Sequence, residues 1–80
     1  MNLRYQKTAD YLLVYKPVGQ PTTPGQTPNS LVEQVLLAFP EQNKVQGFRE
    51  GEGGLLYRLD TETSGIVLFA TSDNAFNNFT

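Results

Sequence analysis

Cysteine and histidine are both absent from the 80 residues. Without cysteine there is no disulfide framework and no thiolate metal site to supplement the core. Without histidine the chain lacks the commonest general acid–base group and the commonest zinc ligand. It also lacks every Ser-His or Cys-His nucleophile pair. Catalysis here must run on carboxylates, Lys, Arg, Tyr or hydroxyls. A basic excess is missing too: six Lys and Arg face eight Asp and Glu, a net charge of −2. That balance, with a pI near 4.8, argues against a free-standing nucleic-acid binder. Long apolar runs are absent. Tyr11-Leu12-Leu13-Val14-Tyr15 and Ile66-Val67-Leu68-Phe69-Ala70 are far too short to span a bilayer. No charged segment followed by an apolar one opens the chain as a secretory signal does. The expectation is a soluble cytoplasmic protein without a membrane partner. Eighty residues allow one small domain, which buries only about 60–65% of the surface its unfolded chain exposes.

What is present divides the chain into recognisable segments. Tyr11-Leu12-Leu13-Val14-Tyr15 is rich in β-formers and reads as a buried strand. It stops at Lys16-Pro17, where proline removes a ladder donor and restricts the residue before it. Residues 17–29 carry Pro17, Pro21, Pro24 and Pro28, with Gly19 and Gly25 between them. They predict an extended loop of polyproline character or a plain connector. Ser30-Leu31-Val32-Glu33 matches a capping box. Val32, Val35, Leu36 and Phe39 follow at helical spacing as one core face, and Pro40 ends the helix near Phe39. Residues 41–54 are polar and glycine-rich and predict a mobile loop or hairpin turn, with no phosphate-loop pattern.

Residues 55–59 alternate as a strand, placing Leu55, Tyr57 and Leu59 on one face and Leu56, Arg58 and Asp60 on the other. Residues 61–64 form a polar turn. Gly65 opens the apolar run 66–70, which predicts a central strand buried on both faces. Ser72 or Asp73 caps a second helix carrying Ala75, Phe76 and Phe79. The sequence stops at Thr80 inside that pattern without a C-cap signal, which predicts a truncated chain.

The candidate site is the segment from Arg58 to Gly65. Asp60 lies where a strand meets a turn, held by rigid elements yet reachable. An aspartate there can act as a nucleophile toward an anomeric carbon, and Arg58 on the same face can keep it ionised. Thr61, Thr63 and Ser64 offer orienting hydroxyls, and Gly65 permits a positive φ or a close approach. The same residues also suit an Asx-turn at Asp60 or an ordinary surface ion pair between Arg58 and Asp60. Glu62 is too close in sequence to flank a substrate opposite Asp60 as a glycosidase pair requires.

Arg58-Leu59-Asp60-x-x-Thr63-Ser64-Gly65, followed by the apolar run 66–70, resembles the signature of RluA-type pseudouridine synthases. Leu13-Val14-Tyr15-Lys16-Pro17-x-Gly19-x-Pro21 resembles that family's first motif. The likeness extends from about Tyr11 onward. It implies an α+β fold, a mostly antiparallel mixed sheet with flanking helices. Residues 1–80 would then be the amino-terminal portion of one incomplete synthase-like catalytic domain. It implies isomerisation of uridine to pseudouridine in RNA, ribosomal or transfer, with Asp60 as the catalytic aspartate and neither metal nor organic cofactor. Arg58, Tyr57 and Lys16 would contact RNA; Lys16 and Pro17 would be chiefly architectural; Thr63, Ser64 and Gly65 would support the site. Tyr57 stands where the subfamily usually has histidine. No position matches the family's later motifs: a tyrosine packing on the target uracil, a basic partner of the aspartate, and apolar pocket residues. The isolated chain is therefore expected to be inactive, and to self-associate or to be partly disordered. The competing expectation is a non-catalytic module that keeps the scaffold and binds RNA or a protein.

Overall fold

Tyr11 to Lys16 carries β-forming residues on both faces, and in the computed structural model it becomes the middle strand of the sheet. The structure describes residues 3–25 and 29–79, so residues 26–28 of the proline-rich stretch lie outside the described residues. The elements run β1 (Tyr5–Lys7), β2 (Tyr11–Lys16), α1 (Leu31–Ala38), a 3-10 helix (Pro40–Lys44), β3 (Gly65–Ala70) and α2 (Asp73–Phe79). The sheet order is β1-β2-β3. Both pairings are antiparallel, with Tyr5 opposite Val14 and Lys16 opposite Gly65. Among the described residues there is no parallel pair of the kind a mixed sheet contains, so the α+β class stands with a purely antiparallel sheet.

Residues paired in register share a face. Leu12, Val14, Val67 and Phe69 project together onto Leu31, Val32 and Val35 of α1, all of them fully buried. Each such side chain contributes about 1.5–3 kcal/mol of burial free energy. On the opposite face Tyr11, Leu68 and Ala70 meet Ala75 and Phe76 of α2. The sheet is thus covered by α1 on one side and, at one end, by α2 on the other.

Helix α1 begins as its capping box dictates. The Ser30 hydroxyl accepts from the Glu33 N–H at 3.2 Å, and the Glu33 carboxylate accepts from the Ser30 N–H at 3.1 Å. The preceding N–H groups of the first turn also find partners: Leu31 donates to the Pro21 carbonyl and Val32 to the Thr22 carbonyl. Ser72 caps α2 by accepting from the Ala75 N–H.

Three segments differ from the sequence expectation. β3 is not a central strand buried on both faces: among the described residues β2 is the only strand beside it, and Ile66 is 48% exposed. Residues 55–59 do not form a strand. Leu55 makes an isolated bridge to Phe69, and Leu56 donates to the Leu68 carbonyl. Leu55 enters the α1-side core while Leu56 enters the α2-side cluster. Straddling the sheet edge in this way draws the chain off β3. Residues 41–54 are not a bare loop either. The 3-10 helix places Gln42 in the interior, where its amide donates to the carbonyls of Gly53 at 2.8 Å and Ala70 at 2.9 Å. Gly54 is required beside it: φ is +88°, and a Cβ would collide with the Ala70 carbonyl oxygen.

Candidate active site

Asp60 begins an exposed turn closed by a 2.9 Å hydrogen bond from the Thr63 N–H to the Asp60 carbonyl. The residues on either side of Asp60 are anchored. The Thr22 hydroxyl accepts from the Leu59 N–H at 3.1 Å and donates to the Leu59 carbonyl at 2.6 Å. The Thr61 carbonyl accepts from the Gly19 N–H at 2.8 Å and from Lys16 Nζ at 3.2 Å. The signature segment is therefore fastened by residues 16–22, the end of β2 and the segment that follows it.

Lys16 is the pivot of that fastening. Its side chain has no exposed surface. Nζ donates to the carbonyls of Pro17 at 3.1 Å, Gln20 at 2.7 Å and Thr61 at 3.2 Å, so every ammonium proton has an acceptor. Burial pushes the ammonium below its ordinary value, and the Asp60 carboxylate partly opposes that fall. In this arrangement the Lys16 ammonium has an architectural place, directed to backbone carbonyls and turned away from solvent. Pro17 shares the role by ending β2 and turning its carbonyl to the same ammonium.

The Asp60 carboxylate thus acts electrostatically on Lys16. Among the described residues Arg58 forms no ion pair with Asp60, the one such pair being Lys7 with Glu41 at 3.8 Å. Arg58 is exposed. It lines, with Asp60, Thr22 and Pro24, an open cavity of about 260 Å³. Tyr57 is 37% exposed, and its hydroxyl donates to the Ile66 carbonyl at 2.6 Å. That bond ties residues 55–57 to β3 and leaves Tyr57 partly exposed. Thr63 supports the turn through its backbone. Among the described residues no side-chain hydrogen bond reaches the Thr63 or Ser64 hydroxyl, and both side chains are exposed. Gly65 has φ +154°, and a Cβ there would approach Leu59 Cδ1 at 3.3 Å, against the residue that precedes Asp60.

Sequence reasoning missed Thr22. Its neighbour Thr23 has the same side chain in the same proline-rich stretch, and only the fold selects Thr22 for the interior, where it is 3% exposed. No three acidic side chains converge into a metal-binding group among the described residues. The arrangement presents one exposed carboxylate on a backbone pinned from both sides, beside a buried ammonium and a free guanidinium. A family model described as RNA pseudouridylate synthase matches residues 10–80, which include both the Lys16-Pro17 turn and the segment from Arg58 to Gly65. No curated protein matches the chain. On the family match, which spans the greater part of its length, the chain belongs to the RNA pseudouridylate synthase family.

Proposed function

We propose that the chain is the amino-terminal part of an RluA-type synthase catalytic domain that isomerises uridine in RNA to pseudouridine, with Asp60 as the catalytic carboxylate. The observation that carries this reading is the contact between the two motifs: Lys16 of the first donates to Thr61, the residue after Asp60. A surface Asx-turn or an Arg58–Asp60 ion pair would need no such cross-chain clamp.

The isomerisation breaks the bond between uracil N1 and ribose C1′ and forms one between C5 and C1′. The hydrogen leaving C5 is balanced by one gained at N1. The carboxylate is required for the first bond to break and the second to form, whether by attack at C1′, by attack on the base, or by assisting a glycal. Each route needs a carboxylate open to solvent and to the extruded nucleotide, as Asp60 is. Arg58 is the cation available to phosphate or to the flipped nucleotide, and it borders the same cavity. RNA is the partner under this reading. The family's tyrosine that packs on the target uracil has no matching position among the 80 residues.

The test is Asp60→Ala in the full-length protein, assayed on unmodified RNA labelled with tritium at uracil C5. Loss of tritium release with an unchanged circular dichroism spectrum is expected. Release near the parent rate removes Asp60 from the catalytic role.

A further inference from the structure

We propose that Thr22 is a positioning residue for the reaction, orienting Asp60 through the peptide unit that precedes it. The proposal rests on the reading of Asp60 as the catalytic carboxylate.

The Leu59 carbonyl and the Asp60 N–H belong to one planar peptide unit. The 2.6 Å bond from the Thr22 hydroxyl to that carbonyl therefore fixes the plane on the amino side of the Asp60 Cα. The bond from the Thr63 N–H to the Asp60 carbonyl fixes the plane on the other side. With both planes held, the direction in which the Asp60 side chain leaves the backbone is set, and only its own rotamer remains. A single hydroxyl performs the first task by accepting from the Leu59 N–H and donating to the Leu59 carbonyl, as a facing β residue would.

Thr22 can impose an orientation because it is itself held. Its carbonyl accepts from the Val32 N–H at 3.0 Å, and the Pro21 carbonyl accepts from the Leu31 N–H at 2.9 Å. Those donors belong to the first turn of α1, whose side chains Leu31 and Val32 are fully buried in the core. A rigid path thus runs from the core through α1 and Thr22 to the peptide before Asp60. A misplacement of about 1 Å in a reacting group can lower rate by about 100-fold. Loss of the hydroxyl is accordingly expected to act on kcat.

The experiment compares Thr22→Val and Thr22→Ser in the full-length protein, with tritium release from C5-labelled unmodified RNA transcripts as the readout. Thr22→Val keeps the shape and removes the hydroxyl. It should lower kcat by about 10- to 100-fold with KM for the transcript unchanged, and Thr22→Ser should restore kcat. If Thr22→Val does not fold, Thr22→Cys, a weak donor and acceptor of similar size, is judged by the same criterion. A folded variant without the hydroxyl that turns over at the parent kcat, or a loss that Thr22→Ser fails to rescue, overturns the proposal. Asp60→Ala is run alongside. An active Asp60→Ala removes the catalytic reading and the Thr22 proposal with it, whereas an inactive Asp60→Ala beside a fully active Thr22→Val removes Thr22 alone.

Discussion

The ammonium of Lys16 and the carbonyl oxygen of Thr61 meet at 3.2 Å across 45 positions of sequence. The other acceptors of that ammonium, Pro17 and Gln20, belong to the segment Lys16 itself introduces. One buried cation therefore folds its own turn and captures the segment that carries Asp60. Lysine suits the task because its three donors diverge from a point, whereas the planar fork of arginine matches a carboxylate or phosphate better than three separate carbonyls.

Lys16→Met should destabilise the protein by about 2 kcal/mol, because it strips the partly buried Pro17 and Gln20 carbonyl oxygens of their side-chain donor and removes one of the two donors of the Thr61 carbonyl. Lys16→Arg should not rescue it. Urea unfolding midpoints measure both, and a Lys16→Met variant as stable as the parent would show that the cage contributes nothing.

The same ammonium should titrate below its ordinary value of 10.5, because burial disfavours the charged form more than Asp60 favours it. In the unfolded chain the ordinary value holds. Between the two values the unfolded state binds more protons than the folded one, so this group's contribution to stability rises with pH through that window. Below the folded value the full cost of burying the charge is present. A pH titration of the Lys16 side chain by NMR reads the first quantity. The pH dependence of the stability difference between parent and Lys16→Met reads the second. A midpoint at or above 10.5 refutes both expectations.

Gly65→Val should cost about 1–3 kcal/mol, since a β-branched residue is forced into a positive φ. Its Cβ would also press on Leu59, which packs against the core. Thr61→Val, at an exposed side chain, should stay within about 0.5 kcal/mol. Chemical denaturation of the pair decides the matter, and equal losses contradict the reading of Gly65 as constrained.

Gln42→Leu should cost about 1–3 kcal/mol by leaving the Gly53 and Ala70 carbonyls without their side-chain donor. Amide hydrogen exchange should accelerate at Gly54 and Leu55 before it does in β2. Unchanged protection there would mean that the turn is held without Gln42.

The segments legible from sequence are those whose signal is local. The strand read over Tyr11–Tyr15, the Ser30–Glu33 capping box and the α2 cap read at Ser72 or Asp73 each rest on neighbouring residues, and the structure contains all three, with the strand running on to Lys16 and the cap falling to Ser72. β1 carried no such signal, because Tyr5, Gln6 and Lys7 are all exposed and show no periodicity. Residues 55–59 alternate correctly, but alternation does not reveal that Leu55 and Leu56 serve cores on opposite sides of the sheet. At the site, Asp60 and Gly65 were marked by their turn chemistry. The roles of Thr22 and Lys16 depend on partners 37 and 45 residues away, which no local pattern encodes.

Those separations also bear on how the protein is made. On a chain synthesised from its amino terminus, Leu12 and Val14 can gather α1 early, since both helix and strand lie within the first half of the sequence. The bonds that fasten Asp60 must wait until Leu59 and Thr61 have left the ribosome, and β3 later still. Closing loops of this length is entropically slow relative to forming a helix. During that interval the Lys16 ammonium lacks its Thr61 acceptor and the Thr22 hydroxyl lacks Leu59. The segment that carries Asp60 thus takes shape after the residues that hold it, arriving at a receptor already assembled by the residues translated before it.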